Sequence, residues 1–269
     1  MRTFLACLLL LCAAPAMAAN LVVDTGAGPR TFTTEQLLAR PDTRDIEVPG
    51  DVSYHRTARY RAIPLRALLP GVPADAHLQF VALDGFAAEV PASLALGGRG
   101  AEAWLAIEPA AGWPPLGEGK PSAGPFYLVW LHPEAAHVGP EQWPYQVASI
   151  RVLAPPAARF PAMQPAASLP PDAPARRGFA VFQRNCLSCH TLNGQGDAKL
   201  GPDLNLPHSP TEYLRDDMFR TLVRNPQDLR HWPQAKMPGF DRKVLSDADL
   251  DDLVAYLKHM ATRKRKASP

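Results

Sequence analysis

Cys186-Leu187-Ser188-Cys189-His190 is the stretch from which the rest of the chain is read. Two thiols three positions apart lie on one side of a helical turn, and an imidazole follows at once. Both sulfurs can then add to the two vinyl groups of one porphyrin, while the histidine nitrogen projects at the iron. Cys-x-x-Cys-His is the attachment signature of a c-type haem, with the histidine as proximal ligand. Half of a zinc site is a competing reading, but a closed zinc site needs four ligands, usually with a second Cys or His pair nearby. A thioredoxin-like redox pair would want a βαβ pattern around it, and the flanks carry none.

The chain has 269 residues, enough for two ordinary domains, and its 46% hydrophobic content suits globular folding. Residues 1–18 read as a secretory signal. Arg2 gives the positive start, residues 5–12 the apolar core, and Ala16-Met17-Ala18 a small-residue cleavage site. That core is too short to span a bilayer. Export to the periplasm is therefore predicted, with no membrane span in the mature chain. Cys7 and Cys12 fall inside the signal, so the mature chain keeps only Cys186 and Cys189. No internal disulfide is possible if both carry haem.

Residues 20–154 form the first predicted domain. Leu21-Val22-Val23-Asp24 and Thr31-Phe32 are strand-like on either side of a glycine turn. Thr33, with Gln36 three residues on, makes a capping box that starts a short helix. Residues 63–69 suit another short helix with Pro64 in its first turn. Strands are predicted at 78–83 and 104–107, with an Asp84-Gly85 turn after the first. The apolar run 126–131 suits a buried strand, and 147–153 closes the domain. The module reads as α+β, mostly β.

Residues 155–176 carry seven prolines spaced by Ala and are predicted to form a linker, extended and semi-rigid. The other form open to them is an ordered strap anchored by Phe160 and Met163. Residues 177–262 form the second domain, all-α. Its first helix is expected from about Arg177 to Cys186, and a second over 213–224. The last helix is capped by Ser246 with Asp249 three residues on, and Leu250, Leu253, Val254 and Leu257 form one apolar stripe. A basic tail, 263–269, follows at the negative end of that helix.

This second domain resembles a class I cytochrome c over about the last third of the chain. Gly178, Phe182 and the haem motif resemble the first helix of that family. Leu200-Gly201-Pro202-Asp203-Leu204 resembles its proximal loop, in which the proline carbonyl accepts a hydrogen bond from the second nitrogen of the axial histidine. The resemblance thus implies that Pro202 fixes the tautomer of His190. Lys236-Met237-Pro238-Gly239-Phe240 resembles the distal loop, which makes Met237 the sixth iron ligand beside His190. Met218 and Met260 lie on helical patterns and read as core. His208 and His231 are the alternative distal ligands, and Trp232 is a candidate wall of the haem cleft. Met/His ligation leaves no open coordination position and favours outer-sphere electron transfer.

The first domain resembles the molybdopterin-binding fold of the sulfite oxidase family. The resemblance is carried by Arg61 through Leu69, Phe80-Val81-Ala82-Leu83-Asp84-Gly85-Phe86, Gly124-Pro125-Phe126-Tyr127-Leu128-Val129-Trp130 and the stretch from Trp143 to Val152. That family holds molybdenum through a cysteine, and residues 19–154 contain none. The domain is also short for the complete family fold. It reads as a non-catalytic relative, a docking or ligand-binding module, and no molybdopterin is expected. His55, His77, His132 and His137 are scattered, as surface or hydrogen-bonded histidines are.

Charge is distributed unevenly. Residues 19–154 hold 10 Lys/Arg against 14 Asp/Glu, whereas from Ala175 onward there are 16 against 11. A basic haem domain could steer onto a redox partner with an acidic docking face, or rest against its own acidic neighbour. The sequence has no phosphate-cradling glycine loop, and no nucleic-acid partner is expected. The expected function is that of an exported electron carrier with one covalent haem c rather than an enzyme. The alternatives are the haem part of a molybdopterin-dependent oxidoreductase and a haem-based redox sensor.

Overall fold

Alternating and continuously apolar runs build the first half of the chain into nine strands among the described residues. The computed structural model describes residues 19–198, 200–232 and 237–265. The expected signal at 1–18, Lys236 of the distal motif and Lys266 of the basic tail lie outside them. The opening strands β1 (Asn20–Asp24) and β2 (Pro29–Thr33) form an antiparallel pair, followed by the short helix α1 (Thr34–Leu38). The Thr33 capping box is present, with Gln36 N–H donating to Thr33 and Thr33 N–H to the Gln36 side chain. Next come β3 (Arg44–Asp51), β4 (Arg56–Pro64), β5 (His77–Ala82), β6 (Ala87–Pro91), helix α2 (Ala92–Ala95), β7 (Glu102–Ile107), β8 (Phe126–Leu131) and β9 (Val147–Leu153).

Two sheets result, in the orders β2-β1-β9-β5-β6 and β3-β4-β7-β8, and they share one apolar core. In β4, Ala58, Tyr60 and Ala62 turn inward while Thr57 and Arg59 face solvent. This period-2 pattern defines a strand with one wet face. The short helix expected over 63–69 is shorter than read. Ile63 and Pro64 still pair with Leu105 and Trp104 on β7, and only Leu65–Leu68 winds into a 3-10 turn. Asp51, 1% exposed, organises one end of the core. It accepts from the Ser53 and Tyr54 amides and from the Tyr60 hydroxyl.

The last strand, β9, lies between β1 and β5, with Leu153 opposite His77. The chain therefore leaves the first half beside β5 and β6. The proline-rich segment that follows packs as a strap and does not act as a spacer. It forms α3 (Pro156–Arg159) and a 3-10 turn at Pro161–Met163, and Met163 is fully buried in the core of the helical half. Polar contacts pin the rest. Arg176 donates to the carbonyls of Ala166, Ala167 and Leu169, and the Ala166 amide donates to His259 Nε2.

The helical half comprises α4 (Pro174–Asn185), α5 (Pro210–Tyr213), α6 (Asp216–Arg224), α7 (Pro226–Leu229) and α8 (Asp247–Ala261). Helix α4 begins earlier than expected because proline is tolerated in a first helical turn. The helix expected over 213–224 is two helices. Ser209 and Glu212 close a capping box around α5, and Arg215 then takes an extended conformation that restarts the chain as α6. The Ser246/Asp249 capping box opens α8 as read. Helices α4 and α8 cross at Gly178, and a Cβ there would run into the Asp252 carbonyl and stand 2.7 Å from Tyr256 Cβ. Tyr256 lies beside Phe179 and Phe182, each ring 5.5 Å away, and donates its hydroxyl proton to the Met163 carbonyl.

The two halves meet through polar groups. Arg159 Nη2 donates to Glu89 Oε1 at 2.9 Å and to Asp197 Oδ2 at 2.7 Å, and Gln79 Nε2 donates to the same two oxygens. Asn185 Nδ2 donates to Glu141 Oε1 at 2.8 Å. His137 Nδ1 donates to the Lys243 carbonyl at 2.9 Å. Burial pushes the Glu89 carboxyl up to about 7, against the pull of Arg159.

Two outcomes follow from this packing. Gly178→Ala should destabilise the helical half by about 1–3 kcal/mol, because the atoms it meets include fixed backbone; an unchanged denaturant midpoint would show that the crossing has slack. A carboxyl held above its usual range in the folded state adds stability while protonated. The Glu89 contribution is therefore complete below the ordinary value of 4.5 and is lost as pH rises through about 7. Thermal midpoints measured across that range should fall less steeply in Glu89→Gln than in the wild type.

Candidate haem site

Helix α4 ends by delivering the motif. The Cys186 amide donates to Phe182 O at 2.9 Å, the Cys189 amide to Cys186 O at 3.1 Å, and the His190 amide to Cys186 O at 2.9 Å. The backbone thus continues a helix-like turn through the motif and carries both thiols and the imidazole around it. Cys186 and Cys189 are unbridged and half-buried. Burial raises both thiol pKa values, and the nearby Glu141 charge adds to the rise.

His190 Nδ1 lies 2.8 Å from the Pro202 carbonyl oxygen. A carbonyl can only accept, so Nδ1 carries the proton and Nε2 keeps a free lone pair, the form that ligates a metal. Burial lowers the His190 pKa, which favours this neutral ring. The loop that brings Pro202 here is tightly made. Gly201 N–H donates to Cys189 O at 2.7 Å, and a Cβ at Gly201 would stand 2.5 Å from the imidazole Cε1. Asp203 accepts from Thr191, from the Asn193 and Gly194 amides, and from the Asn205 and Leu206 amides. Asn205, fully buried, ties this loop to Asn193 and to the Met260 carbonyl at the end of α8.

Met237 is half-buried and packs against the helical core. The segment that follows it is held by α6. Phe240 N–H donates to Val223 O, and Arg224 donates to the Phe240 and Leu245 carbonyls and pairs with Asp247. A Cβ at Gly239 would meet the Arg224 carbonyl at 2.5 Å. Met260 is buried core and Met218 half-buried, while His208 and His231 are exposed. Trp232 is 57% exposed and trades hydrogen bonds with Gln227.

These residues fit a covalently held haem. Two unbridged thiols sit on one turn, followed by an imidazole whose Nδ1 is engaged by Pro202 and whose Nε2 has no hydrogen-bond partner among the described residues. Leu200, ahead of Gly201, and Trp232, ahead of the distal loop, leave large apolar side chains exposed. Cys186 and Cys189 could hold the porphyrin, His190 and Met237 its iron.

The histidines of the first half do not converge. Among the described residues no group of three or more His, Cys, Asp or Glu could hold a metal ion. His132 is exposed beside Glu134, and His137 reaches across to Lys243. Asp84 makes the expected turn by accepting from the Phe86 amide. Sequence reading missed the buried acids. Glu89 and Glu141 are 5% and 6% exposed, and Glu89 lies in a strand, β6, in which residues 87–90 are all buried.

Comparison with known proteins agrees with the helical half. Residues 175–261 match the family model of cytochrome c. A cytochrome c from Theileria annulata is 27% identical over 105 residues, covering 35% of this chain and 91% of that protein. The crystal structure of the sulfane dehydrogenase SoxCD from Paracoccus pantotrophus is similar at a TM-score of 0.34 and 16% identity. The similarity covers 50% of this chain, which spans only 38% of that one. Among the described residues no helix is long and apolar enough to cross a membrane. The C-terminal part of this chain is a cytochrome c domain, of the kind that carries a covalently bound haem and transfers electrons.

Proposed function

We propose that this chain is an exported electron carrier with a single haem c, and that its first domain is a docking module for a redox partner. The observation that carries the reading is His190, whose Nδ1 is committed to Pro202, leaving the Nε2 lone pair for a metal, directly after two unbridged thiols. Cys186 and Cys189 would make the thioether bonds, and His190 and Met237 would be the axial ligands. When bound, the haem supplies a one-electron store that alternates between ferrous and ferric iron. The chain's own residues do the rest. Pro202 orients the imidazole and raises its basicity, and the Arg224 contacts hold the distal loop that follows Met237. The helical core keeps water from the buried side of the site.

The strand-rich half is read as a relative of the sulfite oxidase fold that has lost its metal. No cysteine occurs between residues 19 and 154, so the thiolate on which molybdenum would depend is missing. The secretory signal expected at 1–18 would direct maturation to the periplasm, where the two thiols would meet haem. The net positive charge of the helical half supports a partner with an acidic docking face.

The carrier reading is tested on periplasmically matured protein by optical spectroscopy. The ferric form should show the weak red band of sulfur-to-iron ligation, and Met237→Ala should abolish it and give a high-spin spectrum. A wild-type spectrum that is already high-spin would mean an open coordination position and would sink the carrier reading. Elemental analysis should find iron without molybdenum, whereas molybdenum in equal amount to iron would establish a pterin enzyme.

A further inference from the structure

The first domain inserts one acid into the haem-attachment turn. Glu141 sits in a 3-10 turn at Pro140–Gln142 and is 6% exposed. Its Oε1 accepts from Asn185 Nδ2 at 2.8 Å, and Asn185 directly precedes Cys186. Its Oε2 is buried with no partner among the described residues. Gly139 leaves room for this carboxyl, because a Cβ there would collide with both of its oxygens. A full carboxylate with one bare, buried oxygen is costly, and a bound proton removes that cost.

The surroundings of Glu141 are mostly neutral. From the helical half it faces the Asn185 amide, the Cys186 and Cys189 thiols, and the Arg184 guanidinium. Arg184 does not touch the carboxyl. It donates to Asn185 Oδ1 at 3.1 Å and lies 3.7 Å from Asp249. From its own turn it has Gln142 and Trp143. Strand β6 packs on this turn and carries Glu89, which is engaged by Gln79 and Arg159. No cation pairs with Glu141 directly among the described residues, and burial holds its carboxyl up at about 7.

We propose that Glu141 is a proton-binding site linked to the oxidation state of the haem domain. Its carboxyl gives up one proton to solvent when one electron leaves the iron for a one-electron acceptor, and rebinds it on re-reduction. The inference rests on the carrier reading. Oxidation adds one positive charge to the centre held by Cys186 and Cys189. In a buried setting that charge is weakly screened and favours the ionised carboxyl. Reduction removes it and favours the proton. The first domain, besides docking, would then make electron transfer by its neighbour depend on pH.

The test is the midpoint potential of the purified holo-protein against pH, measured at an optically transparent electrode. In the wild type the potential should fall as pH rises through about 7, and in Glu141→Gln it should stay level over the same range. An equal slope in both proteins would assign the proton to another acid, such as a haem propionate, and overturn the proposal. Should the variant fail to mature, the wild type answers alone. Oxidised-minus-reduced infrared spectra of protein labelled with 13C at the glutamate side-chain carboxyls should show loss of a protonated, label-shifted carboxyl band on oxidation, and its absence would overturn the proposal. A protein that acquires no haem would remove the carrier reading and this inference with it, whereas a haem protein whose potential is flat with pH would remove the inference alone.

Discussion

The crossing of α4 over α8 is a contact that a side chain at position 178 would block, and the haem domain depends on it. With no Cβ at Gly178, the two helices approach until Tyr256 lies beside Phe179 and Phe182. That approach fixes where α4 ends, and α4 ends one residue before Cys186. The attachment turn and His190 are thus located by a missing side chain in the first half of the same helix. Close-packed interiors transmit such constraints because neighbouring groups cannot drift to compensate. The Asn193, Asp203 and Asn205 network then fixes the following loop against the end of α8, which puts the Pro202 carbonyl behind the imidazole. A single helix pair therefore references both the cysteines and the histidine.

The seam between the two halves has a different chemistry from either core. Its members include Gln79, Glu89, His137, Glu141, Arg159, Asn185 and Asp197, and Glu89 and Glu141 are almost fully buried. Polar seams of this kind contribute less free energy than apolar ones but specify orientation sharply, since each donor must find its acceptor. Two carboxylates share the Arg159 guanidinium, one from the strand-rich half and one from the helical half, and Arg159 belongs to the strap between them. The strap is thereby the third party to the contact as well as the covalent connection.

Legibility in the sequence followed the range of the interaction. The capping boxes at Thr33 and Ser246 were readable because donor and acceptor lie three residues apart. The strand at 126–131 was readable from its apolar run, and 147–153 as the strand that closes the domain. The pairing of β1 with β9 was not, since it joins residues more than a hundred positions apart. Strand β4 carries arginines at 56, 59 and 61, and these conceal an inward face of Ala58, Tyr60 and Ala62. At the site, Cys186, Cys189, His190, Pro202 and Met237 stood out because their chemistry is carried by short motifs. Glu89 and Glu141 did not, because an isolated acid reads as surface until its burial is known. The proline-rich composition of 155–176 pointed to an extended spacer, yet prolines also start short helices, and one buried methionine suffices to dock such a segment.

Met163 has a consequence for where the helical half begins. The strap residue that fills the helical core lies eleven positions before the first helix of that core begins. A cytochrome segment excised at Pro174 would therefore expose an apolar hole beside Tyr256 and leave its hydroxyl without the Met163 carbonyl. What looks like a tether in composition thus supplies a buried side chain and a buried acceptor to the helical core.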